Sequence, residues 1–239
     1  MYTFKDTLSL YIFTFIVNYI FSGCLRSLGS IRKNAYNYVA TRTTYSNGKF
    51  SSAAPFKSCI AVPLIEYEDA TLVIDFIPPM ELHIILGIVN GLYDKLNKAL
   101  VASGSPVRAK DWSDSLHLVR RHYHGGQFMG NHCSTLLDNV DALEKILLDT
   151  ESYMGIPYVD TLRKFKTVKD KCFGLNLIEG YKVALHQFKI SYLKLGIPVT
   201  LKVHIVFEHV LQFCEKYGNG LGLYSEHSLE STHYDYKPF

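Results

Sequence analysis

"LKVHIVFEHVLQFCEKYGNGLGLYSEHSLESTHYD", residues 201–235, is the stretch on which the reading of the fold turns. It carries four histidines and five acidic residues on a frame of branched and aromatic side chains. Val203, Phe207, Val210 and Cys214 recur at helical spacing, which predicts one helix over residues 201–217 with those side chains inward. Gly218 and Gly220 end it, and Ser225, a good N-cap residue, opens a further helix. His204 and His209 are five residues apart, about 140° around a regular helix of 3.6 residues per turn. The expectation is that they flank the buried stripe and share no face, so that this helix alone makes no metal site. Glu226 and Glu230 lie four apart, on one helical face. Acids there suit the positive end of a helix dipole, and they equally suit a carboxylate ligand for a divalent cation.

The same periodicity recurs upstream. Pro78 and Pro79 open a helix over about residues 80–100, with Leu82, Leu86, Val89, Tyr93, Leu96 and Leu100 on one face. A second helix is predicted at 134–149 around Val140, Leu143 and Leu147. A third spans 177–195, with Ile178, Tyr181, Leu185, Phe188, Tyr192 and Leu195 as its stripe and Gly196 and Pro198 at its end. Between the first two, Gly104, Pro106 and Trp112 mark a loop, and His117, Arg120, Arg121, His122 and His124 crowd before a run of glycines. "IAVPLI" (60–65) and "TLVIDFI" (71–77) read as two short strands, with Asp75 near the end of the second. The predicted class is therefore mainly α with a small β element.

Composition limits the functions open to such a chain. With 239 residues, 48% hydrophobic and 13% aromatic, it can bury a real core. Twenty-five Lys and Arg against 22 Asp and Glu is mildly basic: the charge permits DNA as a partner without demanding it. The five cysteines form no C-x-x-C pair and no N-x-[ST] acceptor occurs, which argues against an oxidised secreted scaffold. Residues 8–21, "LSLYIFTFIVNYIF", are apolar but short for a membrane span, and Lys5 beside Asp6 gives a signal peptide no net positive flank. A buried core segment is the expected role, with a membrane anchor or secretory signal as the alternative. Residues 25–58 form a basic, turn-rich connector.

"GGQFMGNHCSTLL" (125–137), a long helix, and then "LKVHIVFEHVLQFCEKYGNGLGLYSEHSLES" (201–231) form an ordered set. That set resembles the C-terminal part of the Transib transposases and of the V(D)J recombinase catalytic subunit. "LRSLGSIRKN" (25–34) and "PPMELHIILGIVNGLY" (78–93) are similar to transposon-encoded proteins of invertebrate genomes, so the resemblance runs from about residue 25 to the C-terminus. It implies two parts, an unrelated apolar segment 1–24 and a transposase-like domain 25–239. The implied fold for the latter is the helical C-terminal half of an RNase H-like catalytic domain. It places His204 and His209 on a zinc pair and Glu230, or alternatively Glu226, on the last carboxylate of a DDE triad.

The family carries its first two aspartates, and the C-x-x-C that completes its zinc site, ahead of the region matching residue 25, where this sequence has "MYTFKDTLSLYIFTFIVNYIF". Asp75 is the internal candidate for a substitute carboxylate. Two-metal phosphodiester chemistry with Mg²⁺ or Mn²⁺ needs several carboxylates, so the expectation is a truncated, transposase-derived chain that does not cut DNA alone. With the two histidines but no thiolate pair, zinc binding is expected to be weak or absent. Arg120, Arg121, Lys164 and Lys166 are the candidate phosphate contacts, with DNA, a full-length transposase or a second copy of the chain as partner. A nuclear location follows if it binds DNA. The readings from other classes are a zinc-binding interaction module, and a membrane-associated or secreted protein using residues 8–21.

Overall fold

The computed structural model describes residues 79–120 and 126–224, together with the single position Lys33. The chain divides into two units, Met1–Pro78 and Pro79–Phe239, and the elements below belong to the second. Among the described residues the structure is helical apart from turns, loops and one isolated bridge residue, Gln127, so the mainly α class holds there. The two predicted strands, the division at residue 24, the apolar segment 8–21 and the helix predicted after Ser225 lie outside the described residues.

The central element is α1 (Glu81–Ala102), which follows the proline pair and carries Glu81 in its first turn, where a carboxylate meets the positive end of the helix dipole. Leu82, Ile85, Ile88, Val89, Leu92, Leu96 and Leu100 are buried around more than one face, as befits a helix enclosed by its neighbours. Gly104, at φ +69°, turns the chain away from its end. Asn90 is buried on the same helix: its side chain donates to the Leu86 carbonyl at 2.9 Å and accepts from the Phe128 N–H at 2.8 Å, which pins residues 126–129 to α1.

A short helix, α2 (Ala109–Ser115), stands where the sequence suggested only loop. Its first turn is held by the Asp111 carboxylate, which accepts the Arg108 N–H at 2.6 Å, and it delivers the fully buried Trp112 to the core beside Tyr93. The helix predicted over 134–149 proves to be two, α3 (Gly130–Asp138) and α4 (Val140–Asp149). The break falls at Asn139, whose side chain donates to the Thr135 carbonyl at 2.8 Å while its own carbonyl accepts the Trp112 indole N–H at 3.3 Å. Asparagine competes in this way for nearby backbone groups. α3 starts against α1, because a Cβ on Gly130 would lie 2.5 Å from Leu82 Cδ1.

α5 (Ile156–Cys172) and α6 (Tyr181–Lys194) form the principal helix pair. Leu162, Phe165 and Val168 of α5 are buried, as are Leu185, Phe188 and Tyr192 of α6, and the Phe165 and Phe188 rings meet at 5.1 Å. A polar seam runs alongside: the Thr161 and Ser191 hydroxyls share a hydrogen bond of 2.8 Å, and Ser191 donates to Asp160 at 2.7 Å. α6 is shorter than predicted, since Gly180 (φ +82°) sets its start and Ile178 lies outside it, exposed.

The last rod consists of α7 (Leu201–His204), a π-helical turn (Ile205–His209) and α8 (Val210–Tyr217). The Thr200 hydroxyl caps its start by accepting the Val203 N–H, and Gly218, at φ +68°, ends it. The glycine turn beyond it lies directly on the end of α5, with the Gly220 N–H donating to the Leu175 carbonyl at 3.1 Å and Gly222 to Gly174 at 3.2 Å. No helix among the described residues is long and apolar enough to cross a membrane.

Candidate metal and nucleic-acid site

The π turn overturns one expectation from the sequence. A regular helix would have set His204 and His209 about 140° apart. A π turn adds a residue to its turn, so side chains five apart approach each other as side chains four apart do on an α-helix. The two imidazoles accordingly meet edge to face, with ring centroids 5.1 Å apart.

His209 is buried, and its two ring nitrogens differ in role. Nδ1 lies 3.1 Å from Gln212 Oε1, and because a carbonyl oxygen can only accept, Nδ1 carries the proton. Nε2 is then the bare nitrogen, buried and without a hydrogen-bond partner. Desolvation, ahead of a smaller repulsion from His204, holds the imidazole below its ordinary pKa and keeps it neutral. A proton fixed on one nitrogen by an outer hydrogen bond and a free lone pair on the other is the state in which histidine binds zinc. As a ligand pair, His204 and His209 would supply at most two of the four positions of a tetrahedral site. Among the described residues no group of three or more His, Cys, Asp or Glu stands together to complete it.

Next to the pair, Glu208 points outward and accepts the Lys189 ammonium at 2.6 Å, which lowers the pKa of the carboxyl. Lys202 is partly buried one turn before the π segment, with its side chain laid over Gly87 of α1, where a Cβ would stand 2.9 Å from Nζ. No carboxylate among the described residues pairs with it, and burial pushes its amine below the usual lysine range. Sequence reasoning passed over Lys202 and Gln212. For Lys202 the usable signal was Gly87 itself, a glycine inside a helix that marks the close approach of another chain segment.

The other candidates are dispersed. Arg120 donates to Asp94 at 2.8 Å, and its guanidinium lies 5.1 Å from the Tyr93 ring and 5.2 Å from the Phe128 ring, so much of it serves the core. On α5, Lys166 pairs with Asp170 at 2.8 Å and Asp138 at 3.3 Å, and Lys164 lies 4.0 Å from Asp160. The Arg120 and α5 groups share no partner. Arg121, Asp75, Glu226 and Glu230 lie outside the described residues.

No protein-family model matches the chain, and no curated protein matches it.

Proposed function

We propose that the chain is a transposase-derived DNA-binding protein carrying the helical half of an RNase H-like DDE domain, inactive in strand cleavage when alone. The observation that supports this most is the contact of His204 with His209 across the π turn, with Nε2 of His209 buried and without a hydrogen-bond partner. It is the pair that the resemblance to the Transib and V(D)J recombinase proteins marks for zinc. The resemblance gives Glu230, or Glu226, the role of a single DDE carboxylate, and Mg²⁺ or Mn²⁺ would serve it only beside further carboxylates from another chain, such as a full-length transposase or a second copy. Lys164, Lys166 and Arg120 would offer phosphate contacts only by sharing their present carboxylates, whereas Lys202 pairs with no carboxylate among the described residues.

The test is binding of duplex DNA by the full chain across a salt series. Expected is weak association whose logarithm falls linearly with the logarithm of salt, and K202Q is expected to lower that slope by about one phosphate contact. Absence of binding at low salt would reject the DNA reading. It would favour the zinc-binding interaction module, which the same histidine pair supports, and in that case zinc would still raise the melting temperature and H209A would abolish the rise.

A further inference from the structure

The dipeptide Asn-Gly occurs twice among the described residues, and the fold holds the two in different ways. In such a pair the glycine nitrogen can attack the side-chain carbonyl carbon of the asparagine, because glycine has no Cβ to obstruct the approach. Asn90–Gly91 lies inside α1. There the Asn90 amide is buried and tied to the Leu86 carbonyl, the Phe128 N–H and the Cys133 sulfur, and the Gly91 nitrogen belongs to the helical ladder. Asn219–Gly220 lies in the turn after α8. Asn219 is partly exposed, and its Nδ2 donates to the Tyr217 carbonyl at 3.1 Å, which directs the amide back along the chain. Gly220 is buried, and its N–H, on the nitrogen that would attack, donates to the Leu175 carbonyl at 3.1 Å. The turn is held to the end of α5 by that bond, by the Gly222 N–H donating to the Gly174 carbonyl at 3.2 Å, and by the buried Leu221. Gly218 and Leu223, on either side, are exposed. A third Asn-Gly pair, Asn47–Gly48, lies outside the described residues.

We propose that Asn219 is a modification site: a deamidation site gated by the glycine turn, whose conversion to isoaspartate releases the turn from α5. While the turn is closed, the Gly220 N–H is engaged by the Leu175 carbonyl and the reaction is held off. A segment secured by two backbone hydrogen bonds and one side chain opens locally more often than the whole fold. In the open turn the Gly220 nitrogen gives its proton to hydroxide and attacks Asn219 Cγ. The Cγ–Nδ2 bond breaks, Nδ2 takes a proton from water and leaves as ammonia, and a five-membered succinimide remains. Water then adds to one of the two imide carbonyls and the C–N bond there breaks. Cleavage at Cγ gives aspartate; cleavage at the main-chain carbonyl carbon gives isoaspartate, whose backbone runs through the side-chain methylene. The sum is one water consumed and one ammonia released. Isoaspartate lengthens the backbone directly before Gly220, where the fit is close: a Cβ on Gly220 would stand 3.0 Å from the Cys172 carbonyl oxygen, and one on Gly222 2.6 Å from that of Phe173. The lengthened turn does not regain both hydrogen bonds and stays off α5. The connection that leads in sequence to Glu226 and Glu230 loses its anchor with it.

The experiment holds the folded full-length chain at mildly alkaline pH, below its melting temperature, and follows deamidation of Asn90 and Asn219 by peptide mass spectrometry. A synthetic peptide of residues 214–224 gives the rate without the fold. Asn219 is expected to deamidate more slowly than in the peptide by roughly ten- to a thousandfold, the combined hold of two hydrogen bonds and one buried leucine, while Asn90 stays intact. G222A and L221A loosen the turn without touching the Asn-Gly pair, and each is expected to bring the Asn219 rate toward that of the peptide and leave Asn90 unchanged. In the isoaspartate fraction, hydrogen exchange should find the Gly220 and Gly222 amides unprotected, whereas N219D, whose backbone keeps its length, should retain their protection. The peptide's rate at Asn219 in the wild-type chain would overturn the gating. So would an Asn219 rate no faster than that of Asn90, or one unchanged in both variants. Protected Gly220 and Gly222 amides in the isoaspartate form would overturn the release of the turn.

Discussion

At the scale of single residues, His209 carries the clearest consequence. Its imidazole is neutral in the fold because burial disfavours the charge, so its folded pKa lies below the unfolded value near 6.5. As pH falls through about 6.5 the unfolded chain takes up a proton that the folded chain refuses, and stability therefore drops on acidification until the folded value is passed. H209Q removes that site, and its melting temperature is expected to fall less steeply than that of the wild type between pH 7.5 and 5.5. Parallel curves for the two proteins would show that the imidazole is not held neutral. Gly220 makes a second residue-scale case: any Cβ there collides with the Gly174 carbonyl, and G220A should cost about 1 to 3 kcal/mol in a denaturant melt. A loss near zero would mean that the turn does not rest on α5 as described. Gly218 and Gly220 were legible in the sequence as a break. What they break against was not, because close backbone packing between distant segments leaves no local pattern.

At the scale of elements, α1 was legible because its apolar spacing is regular over five turns, and α6 for the same reason. α5 went unassigned although Tyr158, Leu162, Phe165, Val168 and Cys172 keep helical spacing, because Arg163, Lys164, Lys166, Lys169 and Lys171 between them dilute the apolar pattern. The rod at 201–217 shows a different failure. Its length was predicted correctly, but a period of 3.6 residues was applied across it, and the one added residue of the π turn is invisible to that count. The same reasoning yields a test. A π turn behaves as an α-helix with one inserted residue, so deleting Glu208, which is exposed, should restore a regular helix and leave Val210, Phe213 and Cys214 facing the core. Only the surface ion pair with Lys189 is lost, worth about 0 to 1 kcal/mol. The deletion variant is expected to melt cooperatively within a few degrees of the wild type and to keep its two histidines adjacent, now four apart. Collapse of the fold, as an α-helix rotated by one residue would suffer, would rule out the π turn.

At the scale of the whole molecule, the question is what a chain with this inventory can do to DNA. Hydrolysis through two metal ions requires carboxylates that bridge and flank them, so that the attacking and leaving oxygens are both stabilised. The described helices bring no three acidic, histidine or cysteine groups together, and several of their carboxylates are already paired with lysine or arginine: Asp94 with Arg120, Asp141 and Glu144 with Arg163, Asp138 and Asp170 with Lys166. One carboxylate at Glu230 or Glu226 would hold a single Mg²⁺ weakly and leave the charge developing on the leaving oxygen unopposed. The purified chain is therefore expected to show no nicking, hairpin formation or strand transfer on supercoiled or linear DNA with Mg²⁺ or Mn²⁺, at any protein concentration. Mixing it with a chain that supplies two aspartates should be the only route to cleavage, and E230Q should abolish that complemented activity while leaving DNA binding intact. Robust cleavage by the chain alone, lost in E230Q, would show that carboxylates outside the described residues, Asp75 first among them, complete the metal cage after all.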